Sequence, residues 1–254
     1  ATEVNKLVQA VRGVVTAKDG EIFGATDVFL EGRRAEVRTQ ATNLGNLTAD
    51  ANLVAARQFD STVAVSIKNG GGIRAAIGAI DGLTGEQLPT AANPDAGKEA
   101  GEISQLDIEN ALRFDNGLTV MTVTAIELKR LIEHGVAATD AAGNATPGQF
   151  PQIGGAKFSF DPNEPALVLD ASANVVQEGQ RVRSFALVDD NGEVIDVLVQ
   201  DGQLIGNPNR EIRIVTLDFL AGIFSGGSPI GGDGYPFPAY GDSLTHLASA
   251  GLSD

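Results

Sequence analysis

The segment Lys68-Asn69-Gly70-Gly71-Gly72-Ile73-Arg74 brings together residue types that can hold an anion or a polar ring. Three successive glycines carry no Cβ, so their backbone can approach a ligand closely. Their N–H groups can also point into one concavity, an arrangement suited to a phosphate or carboxylate. Arg74 adds a permanently charged, planar fork, and Asn69 offers both a donor and an acceptor. This is not a Walker loop, because the Lys-Ser/Thr pair of that pattern is missing. Taken alone, the segment reads as a glycine-rich surface loop beside a solvated arginine. The rest of the chain changes that reading.

The glycines follow Val63-Ala64-Val65-Ser66-Ile67, a short β-branched run with the pattern of a buried strand. Upstream, Val4, Leu7, Val8 and Val11 fall on one side of a helix expected over Ala1 to Val15. Phe23 to Gln40 reads as strands, with Arg34, Glu36, Arg38 and Gln40 alternating against Ala35, Val37 and Thr39. Thr42 and Asn43 supply capping side chains for a helix whose buried stripe is Leu44, Leu47, Ala51, Val54 and Ala55. Residues 81–101 are rich in Gly and Pro and mark a surface loop. Ser104 to Asp107 opens a short helix to Leu112, and Leu118 to Val123 reads as a strand. Thr124 to Glu127 forms a capping box for a helix ending near Gly135.

After a loop from Asp140 to Gln149 the pattern turns mostly to strands. Lys157–Phe160, Arg181–Val188, Val194–Val199 and Glu211–Leu217 are the candidates, and Asn191-Gly192 joins the second and third as a hairpin. Asp218 to Ile223 reads as a short helix. No internal repeat appears. The fold class is α/β, in a mixed α+β arrangement with helices flanking mixed sheets, and residues 1–254 read as a single domain.

The 254 residues suffice for a sizeable core, and 43% hydrophobic with 20% charged residues is a globular balance. Thirty-three acidic against 18 basic residues give a net charge of −15. This disfavours a nucleic-acid polymer or an anionic membrane surface as partner, because both require a broad basic face. A small anionic ligand remains compatible, since a few converging arginines can dominate one pocket. With no cysteine, thiolate metal sites, disulfides and a Cys nucleophile are excluded. No apolar run reaches membrane-spanning length. The chain opens on Ala1 without a signal-peptide pattern, and is expected to be a mature product or a fragment of something longer.

Several stretches in order resemble the C-terminal domain of the 5'-nucleotidase family: Arg38 to Asp50 (RTQATNLGNLTAD), Asn69 to Arg74 (NGGGIR), Phe150 to Gly155 (FPQIGG) and Gly231 to Tyr235 (GGDGY). Leu112-Arg113-Phe114 followed by Val123–His134 resembles the family's segment between the second and third. The resemblance covers nearly the whole chain. It implies a domain that binds the nucleoside part of a nucleotide, with hydrolysis performed by two divalent metals in a separate N-terminal metallophosphatase domain. That half is absent from these residues, so no cofactor is expected in this chain. His134 and His246 are the only histidines. The first is expected near a helix C-terminus and the second in a C-terminal helical stretch, neither with metal-ligand spacing.

The resemblance assigns Arg38 and Arg74, with the loop glycines Gly71 and Gly72, to the phosphate or ribose end. Asn69 would hydrogen-bond the base. Phe114 and Tyr235 would sandwich it, Tyr235 being hard to explain as packing within a Gly- and Pro-rich loop. Asp242 would accept ribose hydroxyls. Gln40-Ala41 stands where the family usually carries Arg-Glu, which removes one charge. Arg38, on the same expected strand face about 7 Å away, is placed to substitute in part. The implied partners are a nucleoside or nucleotide and an N-terminal metallophosphatase domain, and the implied location is extracellular, periplasmic or at the cell surface. The alternative is a diverged domain serving as a structural or surface-assembly module.

Overall fold

A computed structural model of the chain describes residues 2–222 and 228–247. The fold is mixed α/β, and the chain divides into two compact units. The first comprises the residues up to Arg33 together with Ile73–Arg113, and the second comprises Arg34–Gly72 and the chain from Phe114 onward.

In the second unit a five-stranded sheet runs Asp242–His246, Leu118–Thr124, Glu211–Leu217, Val65–Asn69, Pro151–Gly154. Glu211–Leu217 and Val65–Asn69 are parallel, and the other neighbours are antiparallel. Every residue of Val65–Asn69 is buried. An interior strand covered on both faces takes a continuous run rather than an alternating one. The helix Asn43–Arg57 buries Leu44, Leu53 and Ala56, and Ala125–Val136 buries Leu128, Leu131 and Ile132. A second sheet runs Gln203–Leu204, Val194–Gln200, Val182–Val188, Ala156–Phe160, antiparallel throughout. Glu133, fully buried on the second of those helices, accepts from the backbone N–H groups of Arg181 and Val182, both at 3.0 Å, which fixes where the Val182–Val188 strand begins.

The first unit holds the helix Glu3–Asp19, an antiparallel pair of Ile22–Ala25 with Glu102–Ser104, the short helix Gln105–Ala111 and a small hairpin of Ala79–Ile80 with Gln87–Leu88. Its polar centre is Lys98, 5% exposed, whose Nζ donates to Asp19 Oδ1 at 2.9 Å and to Asp107. Asn93 and Ser104 donate to the same Asp19 carboxylate at 2.7 Å each. This cluster fastens the last turn of the Glu3–Asp19 helix. Burial alone would raise the Asp19 pKa, but the hydrogen bonds from Asn93, Ser104 and Lys98 outweigh it and hold the pKa below the ordinary carboxylate value.

The capping signals are realised as written. Thr42, Ser104 and Thr124 each accept from a first-turn N–H, and the last two form complete capping boxes with Asp107 and Glu127. Three expectations fail. Of the stripe expected on the Asn43–Arg57 helix only Leu44 is buried, Leu47 and Val54 being exposed, because the face turned to the sheet runs through Thr48, Ala49, Asn52, Leu53 and Ala56. Arg34–Val37 is a helical turn rather than a strand, because local bonds win over the period-2 pattern: Thr39 Oγ1 donates to Ala35 O at 2.7 Å, and Gln40 Nε2 to Glu36 Oε2 at 2.6 Å. Arg38 and Gln40 therefore do not share a strand face. His246 ends a strand rather than lying in a helix, opposite Thr119 in register, with Nδ1 3.7 Å from Asp218 Oδ1.

Candidate functional site

Asn69 is the last residue of its strand and the first polar group of the glycine segment. Its side chain is buried, its Nδ2 donates to the Asp233 carboxylate, and its Oδ1 has no hydrogen-bond partner. A buried acceptor left unsatisfied costs about 1–3 kcal/mol, so this oxygen marks a place where a donor would be stabilising. Asp233 sits in the left-handed region at φ 52°, which turns the Gly231–Tyr235 segment back towards the strand end.

The loop after Asn69 is a short 3₁₀ turn, Gly70–Gly72. Two of its N–H groups are engaged within the protein: Gly70 donates to Phe150 O at 2.7 Å and Gly71 to Gly148 O at 2.8 Å. These amides are not aimed at an open concavity, as the sequence led one to expect. The glycines instead permit backbone to pass backbone. A Cβ on Gly70 would stand 1.9 Å from Val37 O, and one on Gly71 would stand 2.9 Å from Gly148 O. At Gly72 the nearest atom to such a carbon is Asn69 Oδ1 at 3.1 Å, so this glycine borders the unsatisfied acceptor.

Residues 146–149 are where the family-like stretches meet. Arg38, buried, donates from Nη1 to Thr146 O at 3.3 Å. Gln149 donates to His134 O, and its own carbonyl accepts the Tyr235 hydroxyl at 2.7 Å. His134 Nε2 donates to Asp233 O at 3.0 Å. Burial holds the His134 pKa below its ordinary value against the opposing pull of Asp233. Arg38, Asn69, Gly71, Asp233 and Tyr235 thus converge through one short loop. A cavity of about 350 Å³ adjoins it, lined by His134, Gln149, Leu167, Asp170, Ile230 and Gly234 among others.

Tyr235 is completely buried. It stacks on Phe237 with ring centroids 5.2 Å apart and meets His134 edge-on at 4.8 Å. Packing therefore accounts for this aromatic, contrary to the sequence expectation, and burial raises its phenol pKa. Phe114, by contrast, is 55% exposed. Arg74 belongs to the other unit, exposed, with its backbone N–H donating to Ala111 O at 2.8 Å. Asp242 opens the edge strand opposite Thr122, and its side chain lies outside the described residues.

Sequence reasoning missed Gln152 and Asp233. Gln152 is fully buried, and its Nε2 donates to Val37 O at 2.9 Å and Gln40 O at 2.8 Å, so it holds the segment that carries Arg38. Its place within Phe150–Gly155 was the available signal. A larger cleft of about 560 Å³ is lined by Asn46, Asp50, Arg57, Lys157 and Asp190 among others, and contains no residue assigned to the nucleoside. Among the described residues no group of three His, Asp or Glu side chains could hold a metal ion, so they do not fit a metal centre. No helix among them is long and apolar enough to cross a membrane.

The family model described as "5'-nucleotidase, C-terminal domain" matches residues 22–236. The trifunctional nucleotide phosphoesterase protein YfkN of Bacillus subtilis (strain 168) is 29% identical over 215 residues, 85% of this chain and 11% of its own. Protein 5NUC of Lutzomyia longipalpis is 29% identical over 169 residues, 64% of this chain and 26% of its own. Among solved structures, a 5'-nucleotidase precursor from Thermus thermophilus superimposes with a TM-score of 0.66 at 24% identity, covering 98% of this chain and 38% of that one. The chain thus spans about a tenth to two-fifths of the length of these relatives.

Proposed function

The chain belongs to the 5'-nucleotidase C-terminal domain family, and from that premise we propose that it binds the nucleoside part of a nucleotide. The observation that carries this reading is Asn69, whose buried Oδ1 lacks a donor beside Gly72 while its Nδ2 is fixed by Asp233. An amide held in one orientation with a vacant acceptor is suited to an exocyclic amino group or ring N–H of a base. Phe114, 55% exposed, is the aromatic that this reading assigns to stacking on the base, a contact worth about 1–3 kcal/mol per base in single-strand binders. Tyr235, with its ring packed inside, acts in this reading as the anchor of the Gly231–Tyr235 loop. Arg38, held to Thr146 O, positions residues 146–149 and adds positive charge. The larger protein would hydrolyse nucleotides with two divalent metals bound in an N-terminal metallophosphatase domain, outside the cell or at its surface.

The engaged amides of Gly70 and Gly71 and the buried Tyr235 favour the second reading, a diverged structural module. Equilibrium dialysis of the 254-residue chain against labelled adenosine separates the two. Saturable binding that weakens at least tenfold in Phe114→Ala is expected. No binding at millimolar adenosine would leave the structural module.

A further inference from the structure

A carboxamide has one accepting and one donating end of nearly the same shape. Which end meets a ligand decides what chemistry the ligand must bring, and for Asn69 that choice is made by Asp233. A carboxylate only accepts, so it takes the Nδ2 end of the amide. The reverse orientation would set Asn69 Oδ1 against a carboxylate oxygen. Asp233 is itself held in place. Its carbonyl accepts His134 Nε2 at 3.0 Å, and its backbone turns through φ 52° between Gly232 and Gly234. Gly148 leaves room for the carboxylate, since a Cβ there would stand 3.0 Å from Asp233 Oδ2.

The two ends of the amide face different surroundings. A Cβ on Gly71 would stand 3.0 Å from Asn69 Nδ2 and 2.9 Å from Gly148 O, so the donor end is bordered by backbone. Beyond the local backbone, a Cβ on Gly72 would meet only the Asn69 side chain within 4 Å among the described residues, with Oδ1 nearest at 3.1 Å. The acceptor end is thus the open one, and it is the end that lacks a partner.

Given the nucleoside-binding reading above, on which this rests, we propose that Asp233 sets the polarity of the Asn69 amide. The site is thereby selective for nucleosides whose base turns an N–H donor to it, an exocyclic amino group above all. A base offering only acceptors at that point would leave two acceptors facing each other. A buried group that cannot pair is what rejects an analogue lacking the matching donor. Selection of this kind works by refusal as much as by attraction.

Adenosine and purine riboside differ only in the amino group, and the second carries no N–H on its base. Equilibrium dialysis of the 254-residue chain should show adenosine bound at least about tenfold more tightly. Asp233→Asn replaces the carboxylate with a group that can accept or donate, so the Asn69 amide can turn its Nδ2 to the ligand. The preference should then shrink to less than about threefold, with purine riboside bound no more weakly than by the wild-type chain. Asp233→Gly, which suits a positive φ, should shrink it likewise. Equal affinity for the two nucleosides in the wild-type chain overturns the proposal while leaving nucleoside binding in place. So does a full preference kept by either variant. Binding of neither nucleoside removes the nucleoside reading itself, and this proposal with it.

Discussion

Asn69 is held by one hydrogen bond and lacks another, and that asymmetry makes it the most informative side chain to change. Asn69→Ala removes the donor to Asp233 and the vacant acceptor together. Stability is expected to fall by only about 1 kcal/mol, since an unsatisfied atom disappears along with a made bond. Adenosine affinity should fall at least tenfold, equivalent to about 1.4 kcal/mol. Denaturant unfolding and a binding titration on the same preparation check both. Equal affinity in the variant would remove the amide from base recognition. At this scale the sequence was legible in part. Asn69 stands out because a polar residue ends a buried strand. Asp233 does not, since an aspartate between glycines reads as an ordinary turn until its carboxylate is seen against Asn69. Tyr235 was misread because nothing local announces that the distant His134 packs against its ring.

Among the elements, the glycine turn and the Lys98 cluster carry distinct expectations. Gly70→Ala forces a carbon into Val37 O, with backbone on both sides unable to yield, and should cost about 3 kcal/mol or more. Gly72→Ala meets only the Asn69 side chain and should cost well under half of that while disturbing ligand binding. Thermal unfolding of the pair checks the order, and equal losses would show that the glycines matter for flexibility rather than close approach. In the first unit, the Asp19 pKa is lowered, so its contribution is complete above the unfolded carboxylate value and is lost as pH falls through the lower folded one. For Lys98, burial works to lower the pKa, but the bonds to Asp107 and Asp19 prevail and raise it above 10.5. Its contribution is present below that value and lost as pH rises through the higher folded one. Amide exchange around residues 16–19 should therefore be slowest between those limits and quicken at both extremes. Elements with a self-contained signal, such as the Thr124–Glu127 box and the Asn191-Gly192 hairpin, were readable. Arg34–Val37 was not, because its alternating pattern suits a strand while the side-chain bonds of Thr39 and Gln40 that hold the turn leave no mark on that periodicity.

For the molecule as a whole, a net charge of −15 means that any anionic ligand meets a repulsive field except close to an arginine. The base recognition proposed for Asn69 and Phe114 would be uncharged, so binding should change little with salt. The motifs that resembled a family were readable because they are the segments that must approach one another. Their meeting point at residues 146–149 was not, because that loop lies outside the recognisable stretches. The most direct test is amide hydrogen exchange on the 254-residue chain with and without adenosine. Slower exchange is expected at residues 69–72, 146–149 and 232–235 together, with no change at the 189–192 hairpin that borders the larger cleft. Protection at that hairpin alone, or at none of these segments, would contradict a nucleoside site at Asn69.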